Sequence, residues 1–363
     1  MSIKSFVSIP QARNYESLFN DVIKIGRCVK CGACVASCPS KVLNMENAAE
    51  MPYPTRECVS CQMCYYQCPR AEFPHYQIKE FIFGKTQGNG GKLGFYASIN
   101  TGRSKKVDIL KKCEDGGAIS SIVAYALDTR KADSAILTCT HKLLPWKTHP
   151  IIATTQKEVI ANAGSKYSVS PTLIGLGKAA EDYGMKKIVM VGLPCQIQAL
   201  RRIQTTPLKA SNISDQAILA ISLVCMESYV YDKYLYALFA QKGIDSATVT
   251  KFSIKRGKFK IFVNGEEKIT LPLKDIKPLM NSGCLTCSDY SGEYSDISVG
   301  AVGSQIGWST ILTRTKKGEE FLKGAVEAGY LEIKPLKEEG ADYESLLKEA
   351  NKKKQRAITN STA

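Results

Sequence analysis

Two cysteine runs near the amino terminus limit what this chain can fold into more than any other feature. Cys28, Cys31, Cys34 and Cys38 are followed by Pro39, and Cys58, Cys61, Cys64 and Cys68 by Pro69. Each run has cysteines at positions one, four, seven and eleven. This spacing ligates paired cubane iron–sulfur clusters, the fourth thiolate of each run serving the other cluster. A tight loop can aim three thiolates at one face of a cube but not four, so the fourth must arrive from elsewhere. One [4Fe-4S] cluster is therefore expected on Cys28, Cys31, Cys34 and Cys68, and a second on Cys58, Cys61, Cys64 and Cys38. Zinc suits the pattern less well, because structural zinc pairs two close ligands with two distant ones. Disulfides this crowded would be redundant staples in 363 residues.

Six of the fourteen cysteines lie outside these runs. Cys284 and Cys287 form a CxxC in SGCLTCSDY, Cys195 sits at the strand-to-helix turn of VGLPCQ, and Cys225 closes SLVC. All four occupy turns or strand ends, where thiolates can converge, so a third four-cysteine site is expected from them. A thioredoxin-type CxxC would open a helix after a strand, and this one does not. Cys113 and Cys139 lack a close partner and read as small buried hydrophobes.

The first twenty residues lack the basic start and apolar run of a secretory signal. No apolar run approaches the roughly 20 residues that span a bilayer. The expectation is a cytoplasmic protein, with peripheral attachment to the inner face of the membrane left open. Fourteen cysteines in a reducing compartment then argue for metal or redox chemistry. The net charge of +15 calls for anionic partners. Nucleic acid is disfavoured: the lysines are scattered, and no helix-turn-helix, zinc-finger or RNA-binding aromatic signature accompanies them. An anionic cofactor, an acidic electron carrier such as a ferredoxin, or an anionic membrane face fits better.

The organisation expected is a cluster domain over residues 1–84, an α/β domain over 85–341 and a polar, frayed tail over 342–363. NYESLFNDVIKI places Leu18, Phe19, Val22 and Ile23 on one helical face. The glycine-rich join from Gly84 to Gly94 has no phosphate-binding pattern. Strands and helices then alternate: FYASIN, the Gly-Gly turn and helix of DGGAISSIVAYALDTR, SAILTC, IIATT, a helix from about Leu173 to Tyr183, KIVMVGLP, QIQALRRI and AILAISLVC. KFSIKRGKFKIFVNGEEKITLPL alternates around an Asn-Gly turn and predicts a hairpin. SDISVGAVG and WSTILTRT read as closing strands before a helix from Lys317 to Gly329. The fold class expected is α+β or α/β, a two-[4Fe-4S] ferredoxin domain followed by a mixed-sheet domain.

The ordered motifs CEDGGAIS, NAGSKYSVSP, VGLPCQIQALRR, SLVC, SGCLTCSDY and SDISVGAVGSQIGWSTILTRTKKG resemble the coenzyme F420 hydrogenase/dehydrogenase beta-subunit family over roughly residues 90–335. With its two-cluster module, the chain is similar to the electron-input subunits of archaeal F420H2 dehydrogenases (F420H2:quinone oxidoreductases). The resemblance implies FAD, one cubane cluster on Cys195, Cys225, Cys284 and Cys287, and hydride exchange with the deazaflavin F420. It points to Gly116, Gly117, Ser165, Lys166 and Tyr167 as flavin contacts, with Gly192 and Pro194 shaping the turn that brings Cys195 to the flavin. Catalytic residues are not identifiable. Asp296 and Arg314 read as structural ion-pair members, and the basic run Lys255, Arg256, Lys258 and Lys260 as a solvated hairpin face or an F420-capturing patch. The electron acceptor expected is a partner subunit, a membrane quinone-reducing complex or ferredoxin. Alternatives are a non-catalytic iron–sulfur relay subunit and a ferredoxin-linked reductase of another organic substrate.

Overall fold

The computed structural model describes residues 13–45, 51–84, 91–207, 213–255, 257–337 and 340–361. The chain opens on α1 (Tyr15–Leu18), capped by the Asn14 side chain, which continues into a π-helical turn, Phe19–Ile23. Leu18, Val22 and Ile23 are buried together with Cys38 and Cys64. Phe19, expected on the same face, is 40% exposed, because the wider π turn rotates it outward. The internal repeat is visible in the backbone. α2 (Ala33–Ala36) and α3 (Met63–Tyr66) each begin after a left-handed residue, Gly32 and Gln62. Lys30 and Ser60 are left-handed at the matching positions before them. Three of these four are not glycine, so both halves accept local strain to turn the cysteine loops. β1 (Leu43–Asn44) and β2 (Tyr53–Pro54) pair antiparallel, and α4 (His75–Phe83) leads out of the module.

The second domain runs β3 (Ser98–Ser104), α5 (Val107–Lys112), α6 (Ala118–Asp128), β4 (Ser134–Thr140), β5 (Thr148–Ala153), α7 (Gln156–Ala161), α8 (Thr172–Glu181), β6 (Ile188–Gly192), α9 (Pro194–Thr205) and β7 (Ala217–Leu223). It continues with α10 (Ala237–Lys242), β8 (Val249–Lys255), β9 (Lys258–Val263), β10 (Glu266–Pro272), α11 (Leu273–Ile276), β11 (Ile297–Gly300), β12 (Ser309–Thr313), α12 (Lys316–Glu327), β13 (Leu331–Pro335) and α13 (Ala341–Ser361). The mixed sheet has the order β13-β3-β12-β11-β7-β6-β4-β5. β4, β6, β7 and β11 are mutually parallel, so their carboxyl ends share one edge of the sheet. β6 is buried along its whole length, as a strand covered on both faces must be. Val189 and Val191 pack towards α6 and α12, and Ile188 and Met190 towards α8 and α9.

The cysteine module joins the second of these faces. Val29, Cys31, Ala33, Ala36 and Ile78 belong to the same apolar cluster as α8 and α9. The Leu173 N–H donates to the Cys31 carbonyl, and Gly177 lets the Ala36 methyl approach closely. His75 and Tyr294 close the seam through Nδ1 and the phenol, 2.5 Å apart.

Two expectations are corrected. The predicted hairpin is a three-stranded sheet, β10-β9-β8, in which Asn264-Gly265 makes only the second turn. The tail expected to fray over 342–363 is helical to Ser361: α13 buries Leu346, Ala350, Lys353 and Ala357. Its polar composition hid an apolar stripe at helical spacing, and tertiary packing overrides composition.

Candidate iron–sulfur and cofactor site

In the module, Cys28, Cys31, Cys34 and Cys68 line one small cavity with Leu18, Val22, Val29 and Pro69. Three thiols of the first run thus meet the fourth of the second. Burial and then the neighbouring Cys31, Cys28 and Cys68 push the Cys34 thiol well up. The other run mirrors this arrangement. Burial, Cys58, Cys61 and Cys38 push Cys64 up to about 12. Backbone N–H groups of Lys30 and Arg70 donate to Cys28 Sγ and Cys68 Sγ, each at 3.4 Å. Each group of four thiols therefore draws three members from one run and the fourth from the other.

The third set assembles at the carboxyl ends of the parallel strands. Gly192 is in register with Ser222, which brings the exits of β6 and β7 side by side. Pro194 opens α9 with Cys195 one residue inside it. Cys225 follows β7 by two residues, and its N–H donates to the Tyr290 carbonyl. The Asn281 N–H donates to the Ser228 carbonyl, which ties the loop carrying Cys284 and Cys287 to the same place. Burial and then Cys287, Cys284 and Cys225 drive the Cys195 thiol well up. Burial likewise pushes Cys225 up to about 12. Cys287 goes the other way: burial opposes ionisation, but Lys353 and Arg70 outweigh it. No cysteine is in a disulfide. Among the described residues, no three Cys, His, Asp or Glu side chains converge on a point that could take one metal ion. Zinc would gather its sulfurs at about 2.3 Å from one centre. A cubane spreads four thiolates over its corners, and groups of four buried or half-buried thiols are a donor set of that kind.

Three basic residues at the third set escaped sequence reasoning. Arg70 Nη2 donates to the Gly283 carbonyl at 3.3 Å, with its guanidinium beside Cys287, Cys195 and Cys284. Lys353 Nζ donates to the Cys225 carbonyl at 2.6 Å. Arg356 donates to the Met226 and Cys284 carbonyls and pairs with Glu227 at 2.6 Å. The signal available was the spacing Leu346, Ala350, Lys353, Ala357, which places one lysine of the KKKQR run on the apolar face.

Residues 27–72 match the 4Fe-4S dicluster domain. Residues 99–176 and 185–339 match the N-terminal and C-terminal parts of the coenzyme F420 hydrogenase/dehydrogenase beta subunit. The coenzyme F420 hydrogenase beta subunit of Methanothermobacter thermautotrophicus is 37% identical over 75% of this chain and 96% of its own length. The chain belongs to the F420 hydrogenase/dehydrogenase beta-subunit family. The coenzyme F420-dependent sulfite reductase of Methanocaldococcus jannaschii is 36% identical over 86% of the chain, which spans about half that relative's length (48%). A chain of the F420-reducing [NiFe] hydrogenase complex from Methanosarcina barkeri superposes with a TM-score of 0.71 at 31% identity, covering 76% of this chain and 94% of that one. The expected architecture, a dicluster domain followed by a mixed-sheet α/β domain, is that of the family with an added module. No helix among the described residues is long and apolar enough to cross a membrane.

The positions that the family resemblance marks for flavin gather near the same sheet edge. Gly116 has no room for a side chain, since a Cβ would lie 2.3 Å from the Gly102 carbonyl oxygen, and its N–H already donates to Ser309 Oγ. Gly117, at φ +72°, starts α6. The Tyr167 phenol donates to Glu114 at 2.7 Å and accepts from the Ile254 N–H, which joins this turn to β8. Lys251 and Lys255 reach the same turn, at the Glu114 carbonyl and the Asp115 carboxylate. The Lys166 ammonium caps the carbonyls of Asn162, Ala163 and Gly164 after α7, and burial lowers it to about 8. Ser165 lies between these groups in the turn after α7. Gly192 ends β6 and Pro194 opens α9.

The remaining expectations divide. Asp296 is an ion-pair member, holding Arg201 at 3.0 Å. Arg314 instead donates to Ser298 and to the carbonyls of Leu93, Phe95 and Ser291. Cys139 is buried, with its sulfur 2.9 Å from His149 Nε2, while Cys113 is half-buried and donates to the Asp115 carbonyl. Lys260 pairs with Glu267, Lys258 is exposed, and Arg256 lies outside the described residues.

Proposed function

We propose that this chain exchanges hydride with coenzyme F420, in the direction of F420H2 oxidation, and passes single electrons through FAD and three [4Fe-4S] clusters to a partner complex or carrier. The observation that carries the proposal is the grouping of twelve cysteines into three neighbouring sets of four. The loop of the third set touches the loop of the first: a Cβ on Gly283 would lie 2.6 Å from the Cys28 carbonyl oxygen. FAD, when bound, takes two electrons together and returns them singly, which matches a two-electron donor to one-electron clusters.

The chain's own residues supply the rest. Cys195 and Cys225 sit at the carboxyl edge of the parallel strands, where open α/β sheets bind ligands. Tyr290, Lys353 and Arg356 close the third set against water. The second set is the outermost: Tyr53 and the loop residues to Ser60 are largely exposed, and Val59 is 61% exposed. A partner subunit, a membrane quinone-reducing complex or an acidic ferredoxin would collect electrons there, and the net charge of +15 favours an anionic one.

The test is anaerobic purification with flavin identification, iron and sulfide analysis, and an assay of F420H2 against NADH with an artificial acceptor. The proposal requires FAD, about twelve iron atoms per chain and bleaching of the clusters by F420H2 alone. A relay subunit without flavin is the second reading. It is favoured by the engagement of the Gly116 N–H and the Lys166 ammonium inside the fold. Full iron with no flavin would decide for it.

A further inference from the structure

Arg70 and Lys353 reach the third cysteine set from distant parts of the chain, one from the dicluster module and one from α13. Lys353 is 1% exposed, and its ammonium lies beside Cys287, Cys225 and Cys284. The Nε of Arg70 is buried without a hydrogen-bond partner, while the same guanidinium faces Cys287, Cys195 and Cys284. Among the described residues, no carboxylate forms an ion pair with either. Arg356 differs, because Glu227 cancels its charge at 2.6 Å. Two cations without a carboxylate in ion-pair contact therefore stand beside four cysteine sulfurs, with Asp289 bearing on Lys353 from beyond ion-pair distance. Such burial is costly unless an anion balances it. Arg70 also belongs to the first set, since its backbone N–H donates to Cys68 Sγ and its charge bears on Cys28.

We infer that Arg70 and Lys353 set the reduction potential of the cluster on Cys195, Cys225, Cys284 and Cys287, Arg70 being shared with the cluster on Cys28, Cys31, Cys34 and Cys68. Reduction adds one electron, and so one negative charge, to a cubane with four thiolate ligands. A fixed cation nearby favours the reduced form more than the oxidised one, and the low dielectric strengthens the effect. No proton has to follow the electron, because both cations are already in place. The third cluster is thereby made the easier one to reduce from the flavin side. Arg70 ties the potential of the next cluster to the same charge.

The test is a redox titration, followed by electron paramagnetic resonance, of the anaerobically purified full chain and its Arg70→Gln, Lys353→Gln, Arg70→Lys and Lys353→Arg variants. Each neutral variant is expected to shift the oxidised-to-reduced ratio of the third cluster at least tenfold at fixed potential. That is a fall of about 59 mV for a one-electron couple. Arg70→Gln also lowers the Cys28–Cys68 cluster, Lys353→Gln leaves it unmoved, and the charge-conserving variants stay near wild type. Loss of the third cluster in the neutral variants would assign the two cations to holding the cluster and not to tuning it, and overturns the inference. Loss in the conservative variants too, or full iron with an unmoved midpoint in either neutral variant, overturns it. The inference rests on the three-cluster reading. Wild-type chain with about eight iron atoms defeats that reading, whereas about twelve with unmoved midpoints defeats this inference alone.

Discussion

The Cys28 carbonyl oxygen lies 2.6 Å from the point where a Cβ on Gly283 would sit, and the Arg27 carbonyl oxygen lies 2.7 Å from it. Glycine there is a condition of contact between the two domains, because backbone cannot step aside as a flexible side chain can. The loop that carries Cys284 and Cys287 therefore presses on the loop that carries Cys28 and Cys31.

Gly283→Ala should part these loops. We expect a loss of about 1–3 kcal/mol of stability from overpacking and slower electron transfer from the second domain to the dicluster module. Thermal melting and stopped-flow bleaching measure the two effects. Wild-type values in both would refute the contact.

The crossed ligation makes a paired prediction. Cys38→Ala with Cys58→Ala damages one cluster twice and should leave about eight iron atoms. Cys38→Ala with Cys28→Ala damages two clusters and should leave about four. The reverse, about four iron atoms in the first double variant and about eight in the second, would show that each run holds its own cluster.

Leu346 is fully buried against Leu93, Tyr96 and Tyr290. Truncation to alanine should cost about 2–5 kcal/mol and loosen α13 over the third set. Denaturant unfolding reads the first effect, and the rate at which a chelator removes iron reads the second. An unchanged chelation rate would mean that α13 does not guard the cluster.

His75, at the seam between the domains, has its pKa lowered by burial first and then by Lys79 and Arg70. The unfolded chain therefore takes up this proton at a higher pH than the folded one does. Stability should be complete above the ordinary histidine value and fall as the pH drops through it towards the folded value. His75→Gln, which cannot titrate, should flatten that part of the wild-type stability profile. Parallel profiles for the two proteins would exclude His75 as the cause.

Local chemistry was enough to read the dicluster module. Three thiols within seven residues can be aimed at one point by a single loop, so the runs Cys28–Cys38 and Cys58–Cys68 announce a dicluster domain without tertiary information. The long apolar strand at Ile188–Gly192 and the Pro194 helix start were legible for the same reason, since each signal lies within one element. Phe19 misled because a π turn shifts the helical phase by one residue.

By itself, then, the order of residues determined the cysteine sets and the succession of strands and helices, because spacing along a chain limits which ligands and which faces can meet. Only the tertiary structure decided that Arg70 and Lys353, 283 positions apart in the numbering, share one buried group of thiols. It also decided that a lysine-rich tail becomes a docked helix and that Gly283 lies under Cys28. Burial and charge proximity between distant segments depend on packing, and no local pattern encodes them.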